Sequence, residues 1–186
     1  MRILAVSGSL RESSFNTSLL RAAIEAAPEG VELELWEGLA DLPLYDEDLD
    51  TEDVPESVRR LRADWDAADA ILFSTPEYNA SIPGALKNAF DWASRPFPDN
   101  VLRDKPVAVV GASTGQFGAL WAQQDLKRIL GIAGARVVGT EIPVARAHER
   151  FDAQGRLLDS EVFEQLRLHL TTLASETVTA SERVAA

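Results

Sequence analysis

Apolar positions recur along this chain with two different periods, and the two alternate. Ile3-Leu4-Ala5-Val6 is a short unbroken apolar run and reads as a strand. Leu19, Leu20, Ala23, Ile24 and Ala27 then recur at helical spacing until Pro28 and Gly30 end the pattern. Val31, Leu33 and Leu35 alternate with Glu32 and Glu34, the period of two of a half-exposed strand at a sheet edge. Gly38 to Asp50 is acidic, contains Pro43 and Tyr45, and reads as a long loop. Asp53 and Glu56 resemble a capping box, with Pro55 just inside the start of a second helix carrying Val58, Leu61, Trp65 and Ala68. Ala70-Ile71-Leu72-Phe73-Ser74 shows no alternation, as expected of a central parallel strand covered on both faces. Ser81 and Pro83 open a third helix with Leu86, Ala89, Phe90 and Ala93 on one side. Val107 to Val110 is another buried strand. A fourth helix with Leu126, Ile129, Leu130 and Ala133 follows and ends in Gly131 and Gly134. Arg136-Val137-Val138 is a fifth strand, and Asp152 to Gly155 a turn in an irregular excursion. Asp159 or Ser160 caps a last helix with Phe163, Leu166, Leu170 and Leu173, and the polar tail from Ser175 is expected to fray.

Strand and helix thus alternate five times. That order predicts an α/β fold, a parallel sheet with helices on both faces, because right-handed crossovers place them there. No Pro-, Gly- or Ser-rich linker and no repeat interrupts the pattern, so residues 1–186 are expected to form a single domain. Cysteine is absent, which excludes disulfides and thiolate chemistry. A formal net charge of −12 argues against nucleic acid or an anionic membrane as partner, since both need a basic surface. The first apolar run is too short for a signal peptide and no run reaches membrane-spanning length, so a cytoplasmic protein is expected. His148 and His169 lie far apart with no third ligand at a recognisable spacing, so no metal site is expected.

In doubly wound sheets, ligands bind outside the carboxyl ends of the strands where strand order reverses. Three loops follow the strongest strands: Ser7–Asn16, Thr75–Pro83 and Gly111–Gly118. They converge on one edge if the order is 2-1-3-4-5. The first holds Ser9, Arg11, Ser13, Ser14 and Asn16 just before a helix. Unpaired N–H groups at a helix start attract anions, and a guanidinium fork suits phosphate oxygens. The loop reads as a phosphate cradle, the plainer alternative being a turn capped by Ser13 or Ser14. It lacks the dinucleotide G-x-G-x-x-G, and the chain has no P-loop and no G-x-S-x-G elbow. In the second loop Pro76 and Pro83 stiffen the ends, while Tyr78 and Asn79 offer a ring face, donors and acceptors. These suit a flat heteroaromatic ring, or an ordered turn with Ser81 as a cap. Taken alone, the third loop is only a flexible turn into a helix. Asp41, Asp46, Glu47, Asp48 and Asp50 read as a solvated acidic loop rather than a catalytic pair. The four tryptophans sit at core or interface spacing, with Trp92 placed to pack against a neighbouring subunit.

Gly8-Ser9-Leu10-Arg11-Glu12-Ser13-Ser14-Phe15-Asn16, Thr75-Pro76-Glu77-Tyr78-Asn79 and Ser81 to Trp92 together resemble the NADPH-dependent FMN reductase family, which includes bacterial quinone and chromate reductases. The likeness runs from residue 1 to about Val138. The letters of Pro83 to Trp92 support kinship without an evident chemical need. The resemblance implies a flavodoxin-like three-layer sandwich with a five-stranded parallel sheet of order 2-1-3-4-5. It implies FMN held at its phosphate by Ser9, Arg11, Ser14, Phe15 and Asn16, and at its ring by Pro76, Glu77, Tyr78, Asn79 and Ser113, with Thr114 and Gly115 nearby. The implied activity is hydride transfer from NADPH or NADH to FMN, then two electrons to a small-molecule quinone, flavin, azo or chromate acceptor by a ping-pong mechanism. The flavin carries the chemistry, so no catalytic side chain is required. A homodimer or homotetramer is implied. The chain departs from its quinone-reductase relatives at Gly118-Ala119-Leu120-Trp121, where those often read Gly-Gly-Ala-Arg. The rival reading is a flavodoxin-type one-electron carrier. Fold and acidity support it, and the arginine in the phosphate loop opposes it.

Overall fold

The computed structural model describes the backbone of residues 1–184 and, in the last helix, side chains as far as Thr177. Three strands form its centre: β1 (Arg2–Ser7), β3 (Ala70–Ser74) and β4 (Pro106–Ala112). They pair in parallel, with Ile3 beside Ala70 and Ile71 beside Val107. β2 (Glu32–Trp36) adds to the outer side of β1, and β5 (Arg136–Val137) to that of β4. The order is β2-β1-β3-β4-β5, with β6 (Pro143–Val144) pairing separately with the end of β4.

The unbroken apolar runs follow from this position. Alternate residues of a strand point to opposite faces, so a strand covered on both faces has no polar side. Leu4, Val6, Ile71, Phe73, Val107 and Val109 enter one core with α2 (Glu56–Ala67), α3 (Gly84–Ala93) and α4 (Leu120–Ile132). Ile3, Ala5, Leu72, Ala108 and Val110 enter the other with α1 (Phe15–Glu25) and α6 (Ser160–Val184). Trp65 lies edge-on to Phe73 at 5.3 Å between ring centres, and Phe73 to Phe90 at 5.2 Å. Edge strand β2 keeps its glutamates toward solvent, where Glu34 pairs with Arg2.

Several local expectations change. Pro55 is the N-cap of α2, with extended ψ, and no side chain caps that helix, so Asp53 and Glu56 form no box. Pro83 rather than Ser81 is the N-cap of α3, because the Ser81 hydroxyl donates to Asp125 of α4 instead. Gly131 lies inside α4, which ends beyond it. β5 stops at Val137, although the Val138 N–H still reaches the Val107 carbonyl at 2.8 Å. The irregular excursion contains β6 and a short helix, α5 (Ala147–Arg150). Asp159 caps α6 through its side-chain oxygen, and the helix spans Ser160–Val184.

The segment 38–50 is docked, not loose. Asn88 of α3 accepts from the Tyr45 N–H at 2.7 Å and donates to the Pro43 carbonyl at 2.8 Å. The Trp92 indole N–H donates to the same carbonyl at 2.9 Å. Trp92 is fully buried and so cannot be a subunit contact. Asp50 also leaves the solvated set: it pairs with Arg62 at 2.8 Å, both side chains mostly covered.

Candidate active site

The sheet order carries the three loops to one edge, and a cleft of about 140 Å³ opens between them. Ser9, Arg11, Ser14, Phe15, Asn16, Pro76, Glu77, Tyr78 and Ser113 all line it, together with Ala112 and Thr114. Asn79 does not. It stands at φ 54°, followed by Ala80 at φ 60°, in a turn closed by reciprocal backbone bonds between Tyr78 and Ser81. Two left-handed residues between paired flanks make the tight turn of a short hairpin. Asn79 therefore shapes the loop and is exposed, whereas Tyr78 stays about half exposed at the rim of the cleft.

Loop 1 is built around the start of α1. Ser14 is the N-cap, and its hydroxyl accepts from the Thr17 N–H at 3.3 Å. The N–H groups of Phe15 and Asn16, at the first two helical positions, have no acceptor within the helix and sit at its positive end. The cap does not exhaust the helix start: Ser14 satisfies one donor and leaves those of Phe15 and Asn16. Arg11 donates one N–H to the Ser13 carbonyl at 3.1 Å. It has no carboxylate partner among the described residues. The Asn16 side chain has a different use from the one its sequence suggests. It is buried, its oxygen accepts from the Ser74 hydroxyl and the Ala112 N–H at 2.9 Å each, and its nitrogen donates to the Ala112 carbonyl at 3.0 Å. The side chain thus ties α1 to β3 and β4 with its oxygen fully used, and the backbone N–H and the second amide N–H remain for a ligand.

Loop 2 is anchored to α4. A Glu77 carboxylate oxygen accepts from the Ala122 N–H at 3.1 Å, at the positive end of that helix. Ser81 donates to Asp125 at 2.6 Å. That bond, and then the Arg128 guanidinium, hold the Asp125 carboxyl below the usual carboxylate range. Loop 3 turns sharply at Gly118 (φ 58°) and Ala119 (φ 61°) into α4. A Cβ on Gly118 would come within 2.5 Å of the Pro143 backbone, so glycine is required twice over. Gln123, buried in α4, donates to the Gly118 carbonyl and accepts from the Ile142 N–H. Thr114 lines the cleft beside Ser113, whereas Gly115 does not. This clamp and the Ala112 contribution lie beyond sequence reasoning. They depend on the strand running two residues further than the apolar run and on β6 lying beside it. Phe117 and Trp121 pack with ring centres 4.7 Å apart and planes tilted by 50°, both about half exposed, where Trp121 stands in the segment that departs from the Gly-Gly-Ala-Arg pattern.

The arrangement joins an anion site, a cationic fork and an aromatic rim within one cleft at the switch point of a doubly wound sheet. That defines a flavodoxin-like nucleotide-binding protein. A family model described as NADPH-dependent FMN reductase matches residues 1–149. The chain is 43% identical over 174 residues to an NAD(P)H-dependent FMN reductase of Pseudomonas aeruginosa, covering 93% of each chain. It is 36% identical over 174 residues to a quinone reductase of Escherichia coli K12, covering 92% of each. Its fold matches FerB, a flavoenzyme NAD(P)H:(acceptor) oxidoreductase of Paracoccus denitrificans, with a TM-score of 0.83 and 36% identity over 96% of this chain and 97% of that one. The chain belongs to the NADPH-dependent FMN reductase family, oxidoreductases that use NAD(P)H as electron donor and FMN as cofactor. No helix among the described residues is long and apolar enough to cross a membrane.

Proposed function

We propose that this cleft holds FMN and that the protein passes electrons from NAD(P)H to a small aromatic acceptor, a quinone first among them. The single observation that carries the reading is the meeting of Arg11 and the free N–H groups of Phe15 and Asn16 with Tyr78 and Ser113 in one cleft. The chemistry that FMN supplies when bound is acceptance of a hydride and delivery of two electrons in a second step. The residues do the rest. Arg11, Ser9 and the α1 start bind the phosphate dianion. Pro76, Glu77, Tyr78 and Ser113, which line the cleft, would hold the ring. Loop 2, held by Glu77 and Ser81 to α4, fixes the depth of the cleft. Tyr78, about half exposed at the rim, would leave the mouth of the cleft open to the donor and then to the acceptor, and ping-pong kinetics are part of the same proposal. Quinone acceptors accord with several relatives named quinone reductases, including that of Escherichia coli. A cytoplasmic homo-oligomer is part of the same proposal.

An anaerobic titration tests it. The protein is reconstituted with FMN, freed of excess flavin and mixed with NADPH or NADH while flavin absorbance is followed. Bleaching in one two-electron step, and recovery on adding a benzoquinone, is the expected result. Retained flavin that neither nicotinamide bleaches would assign the protein to the one-electron carriers instead. Failure to retain flavin would overturn the assignment of the cleft.

A further inference from the structure

A second hollow lies beside the first. It is a half-open trough of about 230 Å³ between α1 and the chain leaving β2, and Ser9 lines both it and the main cleft. Its walls are of two kinds. Leu10, Trp36 and Leu39 are apolar, and Leu10 is 59% exposed on the lip. Arg21 and Glu37 are charged and exposed. Most arginines of this acidic chain are paired, as Arg62 is with Asp50 and Arg136 with Glu176. Arg21 has no hydrogen-bond or ion-pair partner among the described residues, and neither has Glu37. Nothing in the fold thus uses these two groups, and they stand on the walls of the same trough.

We propose that this trough is a second subsite, which takes an adenosine 5′-phosphate group joined to a ligand in the main cleft. The inference rests on the reading of loop 1 as the FMN phosphate site. Each wall matches one part of that group. A guanidinium pairs with a phosphate. A carboxylate at the carboxyl end of the second strand accepts from ribose hydroxyls, as acidic residues do there in dinucleotide-binding folds. Leu10 and Leu39 offer apolar surface to a purine, and binding would cover the exposed Leu10. Glu37 also repels a phosphate on the ribose 2′-hydroxyl, so the subsite favours a free diol. The same chemistry comes from two sources. One is FAD bound in place of FMN, whose extra adenylate extends past the flavin phosphate through the shared Ser9. The other is the adenosine end of NADH on the FMN-loaded protein.

Two calorimetric titrations separate them, each run on the wild type, Arg21→Ala and Ala40→Trp, which fills the trough from the far side. The first adds FAD to flavin-free protein, with FMN as the reference ligand. The second adds ADP-ribose, which cannot transfer a hydride, to FMN-loaded protein. Loss of one charge-assisted contact is expected to weaken binding roughly tenfold in one titration, with FMN binding as in the wild type. Weakening in the first assigns the subsite to FAD, and in the second to the nicotinamide donor. Wild-type affinities for FAD and ADP-ribose in both variants would overturn the subsite while FMN retention left the main cleft intact. A wild-type protein that retains no FMN would overturn the main cleft and the trough with it. Should Arg21→Ala disturb folding, Ala40→Trp carries the same two outcomes.

Discussion

Two neighbouring polar residues of loop 1 separate binding from folding. Arg11 has one carbonyl contact and otherwise faces the cleft, so Arg11→Ala removes a ligand contact and little structure. A charge-assisted hydrogen bond contributes about 1.5–3 kcal/mol, so FMN is expected to bind at least roughly tenfold more weakly, with the unfolding midpoint of the flavin-free protein within error of wild type. Fluorescence titration of FMN and urea unfolding check both halves. Asn16 is the opposite case. Asn16→Ala strands the Ser74 hydroxyl and the N–H and carbonyl of Ala112 in a buried place, at about 3 kcal/mol of stability. Asn16→Asp does not rescue it, because a carboxylate would face the Ala112 carbonyl where the amide nitrogen now donates. Equal urea midpoints for wild type and Asn16→Asp would refute that account. Sequence brings Asn16 to the cleft but cannot say which end of the residue serves the ligand. A polar residue at a helix start suits an anion, and equally suits a strut to neighbouring strands.

At the scale of elements, the chain is legible where neighbours in sequence decide the outcome. The unbroken runs in β1, β3 and β4, the alternation in β2 and the helical stripes all follow from local patterning against a two-faced sheet. What stays hidden depends on partners far along the chain. β6 is two residues long and exists because Ile142 and Val144 carbonyls accept from the end of β4, with Gln123 fixing Ile142. Ser81 looks like a cap until Asp125, 44 positions on, turns out to be its acceptor. The letters of α3 have a structural reason in Asn88 and Trp92, which hold the 43–45 backbone against that helix. Trp92→Phe keeps most of the buried ring and loses the bond to Pro43. It is expected to destabilise by about 1–2 kcal/mol and to speed proteolysis within 38–50 before global unfolding, read by limited digestion and peptide mapping. Cleavage spread evenly over the protein would show that the segment is not an independent unit.

At the scale of the whole molecule, His169 is a group whose charge opposes folding. His169 of α6 is buried against Gly139, which stands at φ 74° and where a Cβ would lie 2.4 Å from the imidazole. Its Nε2 has no hydrogen-bond partner among the described residues. Burial, and then the nearby Lys127 ammonium, push the imidazole pKa down to about 4, against a smaller opposing pull from Glu141. Lys127 is itself held there by the Gly139 carbonyl at 2.9 Å and Glu141 at 3.2 Å. The folded state thus keeps His169 neutral where the unfolded chain, with an ordinary value near 6.5, takes up a proton. Between those two values the unfolded state binds more protons, so stability must fall as pH falls. The carboxyls of Asp125 and Glu141, held below their ordinary values, lose their contribution only at lower pH, as it falls through their unfolded and then their folded values. The interval from pH 6.5 to 5 therefore isolates the histidine from them, and linkage sets its share at about 2 kcal/mol there. His169→Leu fills the same apolar place and has no nitrogen to leave unpaired. It is expected to match or exceed wild-type stability at pH 7 and to flatten the decline down to pH 5, in urea midpoints with an unchanged m-value. The same slope in wild type and variant would mean that the acid sensitivity of the fold arises elsewhere.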